Sequence, residues 1–217
     1  MKQLEVRRID CQQVNVADIP ALFRAEKVTY QKIDTVNWAA DYPYCPQVEF
    51  AIAHKNDAIL LHYRVEEDCV RAVSGIDLGP VWEDSCCEFF VSPDVKGGYY
   101  NLETNCIGTV LLCNGQGREN RTKAPSDVLR AIERWSSLGR EPFEMKENKQ
   151  KWELALVVPV ASFFRHNLKD LSNLVMRANF YKCGDKTTKP HFLSWNPIDL
   201  PAPDFHRPDF FGEIRFL

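Results

Sequence analysis

Short segments in which apolar and polar residues alternate follow one another along most of the chain. This alternation predicts strands with one buried face, because successive side chains of a strand point to opposite sides. Pro, Gly, Asp and Asn separate the segments, as expected for short turns. We therefore predict an all-β fold, an antiparallel β-sandwich of two packed, jelly-roll-like sheets, rather than a parallel α/β sheet. The predicted strands span residues 47–54, 59–65, 69–73, 85–91, 99–105, 107–113, 152–158, 174–182 and 212–217.

Three segments show helical spacing of apolar residues, which predicts a few short helices. Residues 16–24 form a short amphipathic pattern in which Pro20 is tolerated only near the first turn. Residues 128–138 are compatible with a helix or with an irregular strand. Residues 160–166, which follow Pro159, are compatible with one or two helical turns.

The size and composition of the chain favour one soluble domain over residues 1–217, since 45% of its 217 residues are hydrophobic. The net charge is −3 and the Lys and Arg residues are scattered, so no nucleic-acid partner is expected. No segment approaches the roughly 18 apolar residues that span a membrane, so no membrane partner is expected either. The N-terminal segment lacks the apolar core of a signal peptide, and we expect a cytoplasmic protein. The sequence leaves the oligomeric state open.

The chain has eight cysteines, most of them in apolar strand-like runs, where a free Cys behaves as a small hydrophobe. There is no Cys-x-x-Cys pair and no Cys/His grouping with the spacing of zinc ligands. Cys86 and Cys87 are adjacent, so on a strand they point to opposite faces and are poorly placed to bridge each other. We expect reduced cysteines and a reducing compartment, with a disulfide framework as the alternative.

The segment of residues 80–90, PVWEDSCCEFF, combines an aromatic ring with carboxylates at the start of a predicted strand. With period two, Glu88 falls on the face opposite Cys87, among apolar neighbours, where a carboxylate is costly unless a group pairs with it. Trp82 precedes the strand in a loop. A flat ring beside carboxylates suits a sugar, whose CH groups stack on the ring and whose hydroxyls donate to the acids. The alternative is a strand start with a core tryptophan.

Motifs of the common enzyme classes are absent: the sequence has no GxSxG, GxxxxGK[ST], GxGxxG or HExxH. Asp84, Glu88 and Glu103 could supply the carboxylate pair of a glycoside hydrolase, which needs a separation of roughly 5 to 9.5 Å. More often such acids accept hydrogen bonds from a ligand or from neighbouring side chains. Non-catalytic binding is therefore favoured, with no catalytic residue assigned, and a xylanase-like glycoside hydrolase, or a subunit of one, using Glu88 and Glu103 is the alternative.

The C-terminal segment of residues 190–212 carries several aromatic residues among five prolines. Proline fixes the backbone without donating a hydrogen bond to a sheet, so this segment is expected to be an ordered loop. Part of it should close one end of the sandwich, with Trp195 and Phe211 buried.

These segments together resemble the family 9 carbohydrate-binding modules, which bind sugars and often accompany xylan-degrading enzymes. The family's Pro-Trp-x-x-Asp-Ser-x-Glu-x-Phe-like stretch and following Tyr-Tyr are matched with a one-residue slip. Its closing Ser-Trp, aromatic residue, Arg and Phe-Gly are matched as well. The resemblance runs from about residue 34 to residue 216, so that residues 1–33 are expected to be an N-terminal extension packed on the domain. The matching residues are Trp38, Pro80, Trp82, Asp84, Ser85, Glu88, Phe90, Tyr99, Tyr100, Ser194, Trp195, Phe205, Arg207, Phe211 and Gly212.

The resemblance implies a slot at one end of the sandwich, in which two aromatic rings hold a mono- or oligosaccharide and carboxylates and amides bind its hydroxyls. The two rings fall on Trp82 and Phe205. A structural calcium ion is a further implication, without assigned ligands. The ligand-binding residues that the resemblance implies are Trp82, Glu88, Glu103, Asn105, Tyr181, Phe205 and His206.

Two of these positions depart from the family pattern, since Phe205 stands where Trp is typical and Glu103 where Arg is expected. Two acids on adjacent strands cost free energy unless a cation, a metal, water or sugar hydroxyls compensate, and Arg177 and Lys182 are the candidate cations. Because related sandwiches in some cytochrome domains hold haem, a haem-binding sandwich is a third alternative. Its candidate axial ligands are Met145, Met176, His191 and His206.

Overall fold

The computed structural model describes residues 1–11, 13–94, 96 and 98–217. The strands are β1 (Gln3–Val6), β2 (Gln31–Lys32), β3 (Thr35–Val36), β4 (Gln47–His54), β5 (Ala58–Glu67), β6 (Val70–Ala72), β7 (Cys86–Ser92), β8 (Tyr99–Asn105), β9 (Val110–Gly115), β10 (Thr122–Lys123), β11 (Glu133–Ser136), β12 (Phe143–Lys146), β13 (Gln150–Pro159), β14 (Val175–Cys183), β15 (Phe192–Ser194) and β16 (Gly212–Phe216). The α-helices are α1 (Ile19–Ala25) and α2 (Ser126–Ala131). Single-turn 3₁₀ helices span Val16–Asp18, Val81–Glu83, Val160–Ser162 and Pro208–Phe210.

Two sheets pack face to face. The first has the order β1-β16-β14-β7-β8-β9-β10, with β15 joining β14 to β3, and the second has the order β11-β13-β5-β4-β2. Strands β12 and β6 form a separate pair. Neighbouring strands are antiparallel except β1 and β16, which run parallel. The predicted antiparallel β-sandwich is confirmed, and β1, in the segment expected to be an N-terminal extension, adds a strand to the edge of the first sheet.

The core between the sheets follows the period-two pattern of β7. Cys87, Phe89 and Val91 point into it, with no more than 2% of their surface exposed. Phe180 of the first sheet lies between Phe89 and Phe50, its ring stacked on both with centroid distances of 4.9 and 3.7 Å. Phe50 belongs to the second sheet, so this stack of three rings joins the two layers.

The outer face of each sheet is also covered. Helix α1 packs Ile19 and Phe23 onto the second sheet. The C-terminal segment and Trp38 cover the first sheet, where they form an apolar cluster with residues of β7, β8 and β14. Trp195 and Phe211 are buried, as predicted. Because both faces of the first sheet are covered, polar side chains on its outer face can be as dry as a core.

The observed strands agree best with the predicted ones where apolar and polar residues alternate clearly. Strands β4 and β8 have the predicted bounds, whereas residues 128–138 divide into the end of α2 and the strand β11. All eight cysteines lie in the described part of the chain, and none is in a disulfide. No helix within the described residues is long and apolar enough to cross a membrane.

Candidate functional site

Trp82 projects from the loop that precedes β7. It lies in the 3₁₀ turn Val81–Glu83, and 39% of its surface is exposed. Its neighbour Val81 is fully buried and packs into the apolar cluster of the outer face. The buried valine holds the turn against the sheet while the indole stays accessible.

Asp84 anchors the same loop. Its buried carboxylate accepts hydrogen bonds from the guanidinium of Arg71 and, at 2.9 Å, from Nδ2 of Asn105. The backbone N–H groups of residues 73 and 74 donate to it at 3.0 and 2.9 Å. Asn105 also donates to the carbonyl of Ser74 at 2.8 Å, and its own oxygen accepts a backbone N–H at 2.9 Å. Asp84 and Asn105 therefore bond to one another and to the backbone, and they fix the loop.

Antiparallel register places chemically important side chains in rows on the outer face of the first sheet. In the central row, Glu88 of β7 stands directly opposite Tyr181 of β14 on one side and Glu103 of β8 on the other. Side chains directly opposite each other in an antiparallel pair have Cβ atoms about 5 Å apart, so the two acids are immediate neighbours. The flanking rows are Cys183, Cys86 and Asn105 on one side, and Asn179, Phe90 and Asn101 on the other.

A pocket of about 350 Å³ opens over these rows. Glu88 and Glu103, which are 3% and 4% exposed, form its floor, and Trp82 lines it from the loop. Phe205 and His206 line it from the C-terminal segment. The pocket is also lined by five further charged residues: Arg118, Arg121, Lys123, Asp185 and Asp204.

The two floor acids have strongly altered protonation. Burial, followed by the neighbouring charge of Glu103, raises the pKa of Glu88 well above its usual value. Burial raises the pKa of Glu103 to about 7, against the hydrogen bond from Asn101 and the charge of Arg121. One Glu103 oxygen accepts from Asn101 Nδ2 at 2.8 Å, and the other, Oε2, has no hydrogen-bond partner among the described residues. Near neutral pH the pair therefore retains protons and can donate as well as accept hydrogen bonds.

Arg121 brings a positive charge to this floor from the loop between β9 and β10. Its guanidinium lies 4.2 Å from the ring of Tyr99, and its Nε donates to Asn101 Oδ1 at 2.9 Å. Asn101 in turn donates to Glu103, so a chain of hydrogen bonds connects the guanidinium to the acid pair. Burial lowers the pKa of Arg121 from its usual value.

The two cations predicted to compensate the acids have other partners, and this prediction is corrected. Arg177 donates to the carbonyl of Phe211. Lys182 lies one residue from Tyr181, so it points to the opposite face of the sheet, where its Nζ pairs with Glu67 at 2.9 Å.

The buried Lys182 ammonium donates to His191 Nε2 at 2.7 Å and to the Cys183 carbonyl at 2.8 Å, and it forms an ion pair with Glu67 Oε2 at 2.9 Å. His191 Nδ1 lies 2.8 Å from the carbonyl of Lys189, an arrangement in which Nδ1 carries the proton and Nε2 accepts. Burial and then the Lys182 charge hold the pKa of His191 well below its usual value. Both ring nitrogens are therefore engaged, which leaves His191 without a free nitrogen for haem iron.

The two predicted aromatic rings of the pocket are not equally exposed, because Phe205 is far more buried than Trp82. Phe205 is 9% exposed, and one face of its ring stacks on Tyr181 at a centroid distance of 4.1 Å and an interplanar angle of 7°. The Tyr181 hydroxyl donates to the Phe205 carbonyl at 3.2 Å. His206 Nδ1 lies 2.7 Å from the Tyr99 hydroxyl, and burial, with the charges of Arg121 and Arg118, lowers the pKa of His206 to about 3. His206 is thus a neutral imidazole at pH 7.

The structure brings five of the seven predicted ligand-binding residues to one pocket: Trp82, Glu88, Glu103, Phe205 and His206. Tyr181 is fully buried beneath Phe205, and Asn105 is fully buried beside Asp84, so neither lines the pocket.

Sequence reasoning missed other lining residues, notably Arg121, Asp185 and Cys183. Asn101 could have been found, because period two places it on the same face as Glu103. Arg121 had no such signal, since it lies in a polar loop whose path the sequence does not define.

Among the described residues, one group has the composition of a metal site. The potential ligand atoms of Cys86, Glu88 and Cys183 all lie within 4.8 Å of one another. Two thiols suit a thiophilic cation, whereas Ca²⁺ takes oxygen ligands. This group is therefore not a site for the calcium ion that the sequence resemblance implies.

A larger groove, of about 850 Å³, lies on the second sheet. Its aromatic lining residue is Trp152, which is 1% exposed and donates its indole N–H to Glu67 at 2.7 Å. Its charged residues include Lys151 and Glu66, which pair with each other at 3.1 Å. Without an accessible ring, this groove lacks the stacking surface that the smaller pocket has in Trp82.

The model of carbohydrate-binding family 9 matches residues 17–216 of the chain. This chain belongs to carbohydrate-binding family 9. A crystal structure from Bacteroides uniformis, described as a candidate carbohydrate-binding protein, is 48% identical to this family 9 chain, with a TM-score of 0.97 and coverage of 100% of this chain and 99% of that one. No curated protein matches the chain.

Two solved structures of a family 9 carbohydrate-binding module from Caldicellulosiruptor kristjanssonii share the fold. One, in complex with cellotriose, has a TM-score of 0.61 at 11% identity and covers 99% of this chain and 93% of that one. The other, in complex with glucose, has a TM-score of 0.59 at 10% identity and covers 100% and 96%. At these identities the likeness confirms the fold of the family 9 sandwich.

Proposed function

We propose that this family 9 protein binds a short saccharide, without transforming it, in the pocket that Trp82, Glu88 and Glu103 line. The observation that carries the proposal is an accessible indole next to a floor of dry carboxyl groups. The indole offers a flat apolar surface to the CH groups of a sugar ring. The carboxyl pair, which retains protons near neutral pH, offers both donors and acceptors to sugar hydroxyls.

The size of the pocket favours a short ligand. About 350 Å³ lies at the lower end of the range for small-molecule sites, about 300 to 1,000 Å³. We propose that one or two sugar rings enter, with Trp82 as the stacking surface and Phe205 as a wall supported by Tyr181. Arg121 then contributes through Asn101 and Glu103, by keeping the floor oriented.

Isothermal titration calorimetry tests the proposal. Glucose and cellotriose are the first ligands to try, because the solved structures of the Caldicellulosiruptor module are complexes with them; cellobiose, xylose and xylo-oligosaccharides complete the set. Trp82→Ala should weaken binding at least about tenfold, the loss expected when a central aromatic contact of more than about 1.4 kcal/mol is removed. Trp135→Ala, on the second sheet, is the matched control and should bind like the unchanged protein.

Heat with none of these sugars, or an unchanged affinity in Trp82→Ala, would refute the proposed pocket. Incubation with aryl glycosides examines the hydrolase alternative. Turnover that disappears in Glu88→Gln would replace binding by catalysis as the function of the acid pair.

A further inference from the structure

The floor of the pocket carries a second chemistry that saccharide binding does not use. Cys86 and Cys183 are directly opposite each other on β7 and β14, and Glu88 lies two residues beyond Cys86 on the same face. All three side chains are buried, with exposed fractions of 0 to 3%. Their sulfur and oxygen atoms lie within 4.8 Å of one another, and Cys183 Sγ is 3.0 Å from Glu88 Oε1.

From this geometry we propose that Cys86, Cys183 and Glu88 bind a thiophilic divalent cation, with Zn²⁺ the best match. Tetrahedral Zn²⁺ takes thiolates at about 2.3 Å and carboxylate oxygens at about 2.0–2.2 Å, which places neighbouring ligand atoms about 3.5–3.8 Å apart. Cys183 Sγ and Glu88 Oε1 lie 3.0 Å apart and no pair of ligand atoms exceeds 4.8 Å, a range that includes these values. Three protein ligands leave the fourth position to water, as in zinc sites that stay open.

The surroundings of the cluster support a cation. Glu103 stands opposite Glu88, and its Oε2 is buried without a hydrogen-bond partner among the described residues. Of the nearby cations, Lys182 pairs with Glu67 on the opposite face and Arg121 donates to Asn101 and the Tyr99 carbonyl, while Arg118 and Lys123 also line the pocket. Two carboxyl groups and two thiols thus share a dry site, in which a divalent ion would stabilise their ionised forms.

The site is accessible and the chemistry balances. Glu88 and Cys183 line the pocket, so an ion can reach them from solvent without opening the sandwich. Binding replaces the two thiol protons, including the one that Cys183 donates to Glu88, and releases them to solvent; the carboxyl of Glu88 releases its own proton if it is protonated. No electron transfer is involved. The metal proposal does not depend on the saccharide proposal, because it rests on the positions of the three side chains, but the two ligands would share Glu88.

Titration of the full chain with Co²⁺ under a non-chelating reductant, followed by displacement with Zn²⁺, tests the site. The probe is the metal alone, without sugar. All eight thiols are first confirmed as reduced in unfolded protein. We expect a thiolate-to-cobalt charge-transfer absorption that saturates at one Co²⁺ per chain and disappears when Zn²⁺ is added. Metal binding should also release protons from the two thiols to the solvent.

Cys86→Ser and Cys183→Ser should each weaken Zn²⁺ binding at least about tenfold. The matched control is Cys113→Ser, since Cys113 lines the same pocket but belongs to a different row. Glu88→Gln gives a second test that leaves both thiols in place and should also weaken binding. Absence of the charge-transfer band in the unchanged protein would overturn the proposal, whatever the folding of the variants. An equal loss in Cys113→Ser, or an undiminished band in both serine variants, would overturn it as well.

Discussion

Replacing Glu103 by Gln should stabilise the protein at alkaline pH and lose that advantage in acid. In the folded state burial raises the pKa of Glu103 to about 7, from an ordinary value of 4.5. Between these pH values the folded state holds a proton that the unfolded state has lost, so the free energy of unfolding falls as the pH rises through this window. At about 1.4 kcal/mol per pH unit, the difference corresponds to about 3 kcal/mol above pH 7.

Glutamine has nearly the same shape as glutamic acid but does not ionise, so the substitution removes the contribution of Glu103 to the pH dependence of stability. Its Oε1 can still accept from Asn101, and its amide can donate to Glu88, so the hydrogen bonds of the floor survive. The charge of Glu103 also contributes to the raised pKa of Glu88, and removing it acts in the same direction. Histidines with a lowered pKa, such as His206, are present in both proteins and therefore cancel in the comparison.

Urea unfolding at pH 5 and pH 8, followed by tryptophan fluorescence, measures the effect. The free energy of unfolding of Glu103→Gln relative to the unchanged protein should rise between these pH values by up to about 3 kcal/mol. Glu147→Gln removes an exposed carboxylate and serves as the control, with little pH-dependent difference. A Glu103→Gln difference that is the same at both pH values would refute the argument that burial governs the floor acids.

Three further substitutions test the framework of the site, each by chemical denaturation. Lys182→Met leaves Glu67 as an uncompensated buried charge and should lower the free energy of unfolding by about 3–5 kcal/mol. Lys186→Met is its control: the ion pair of Lys186 with Glu83 is exposed to solvent, so the loss should be less than about 1 kcal/mol. Asn105→Ala removes donors and acceptors that hold Asp84 and Ser74, and a loss of about 2–3 kcal/mol is expected; no measurable change would contradict its anchoring role. Gly212→Ala would place a Cβ 2.5 Å from the Trp195 ring and 2.8 Å from the Lys2 carbonyl, so we expect the free energy of unfolding to fall by about 1–3 kcal/mol. Gly117→Ala is its control and should cause no loss, because its Cβ would meet no atom within 4 Å.

The fold could be predicted because alternation is a local signal that packing then reinforces. β4 and β8 show this best, since their apolar and polar positions alternate and their bounds agree with the prediction. β1 was missed because its four residues gain their place only by pairing with β16, at the other end of the chain. The helix or strand ambiguity of residues 128–138 was real, as the segment changes from one to the other at residue 132.

The site was predictable only where strand periodicity or the family resemblance supplied the positions. Glu88 and Glu103 were placed on one floor by the resemblance and by period two, and their direct opposition is a matter of register that emerges from the fold. The partners of Lys182 and the approach of Arg121 depend on chain segments that are distant in sequence. A buried lysine also contradicts the usual exposure of that residue, and its ion pair with Glu67 and its two internal acceptors make the position tolerable.

The two faces of β7 contribute to different parts of the molecule, one to the core and the other to the candidate site. Cys87 and Phe89 belong to the core between the sheets, while Cys86 and Glu88 lie on the outer face, where Glu88 lines the pocket. Because the C-terminal segment covers the outer face, the pocket-facing residues are nearly as dry as the core residues, which raises the cost of ionising Glu88. A ligand that brings hydroxyls or a cation to this floor would satisfy groups that the fold leaves poorly compensated, so the same burial that costs stability at high pH would favour binding. The C-terminal cover is therefore part of the site, and it acts by keeping the floor dry.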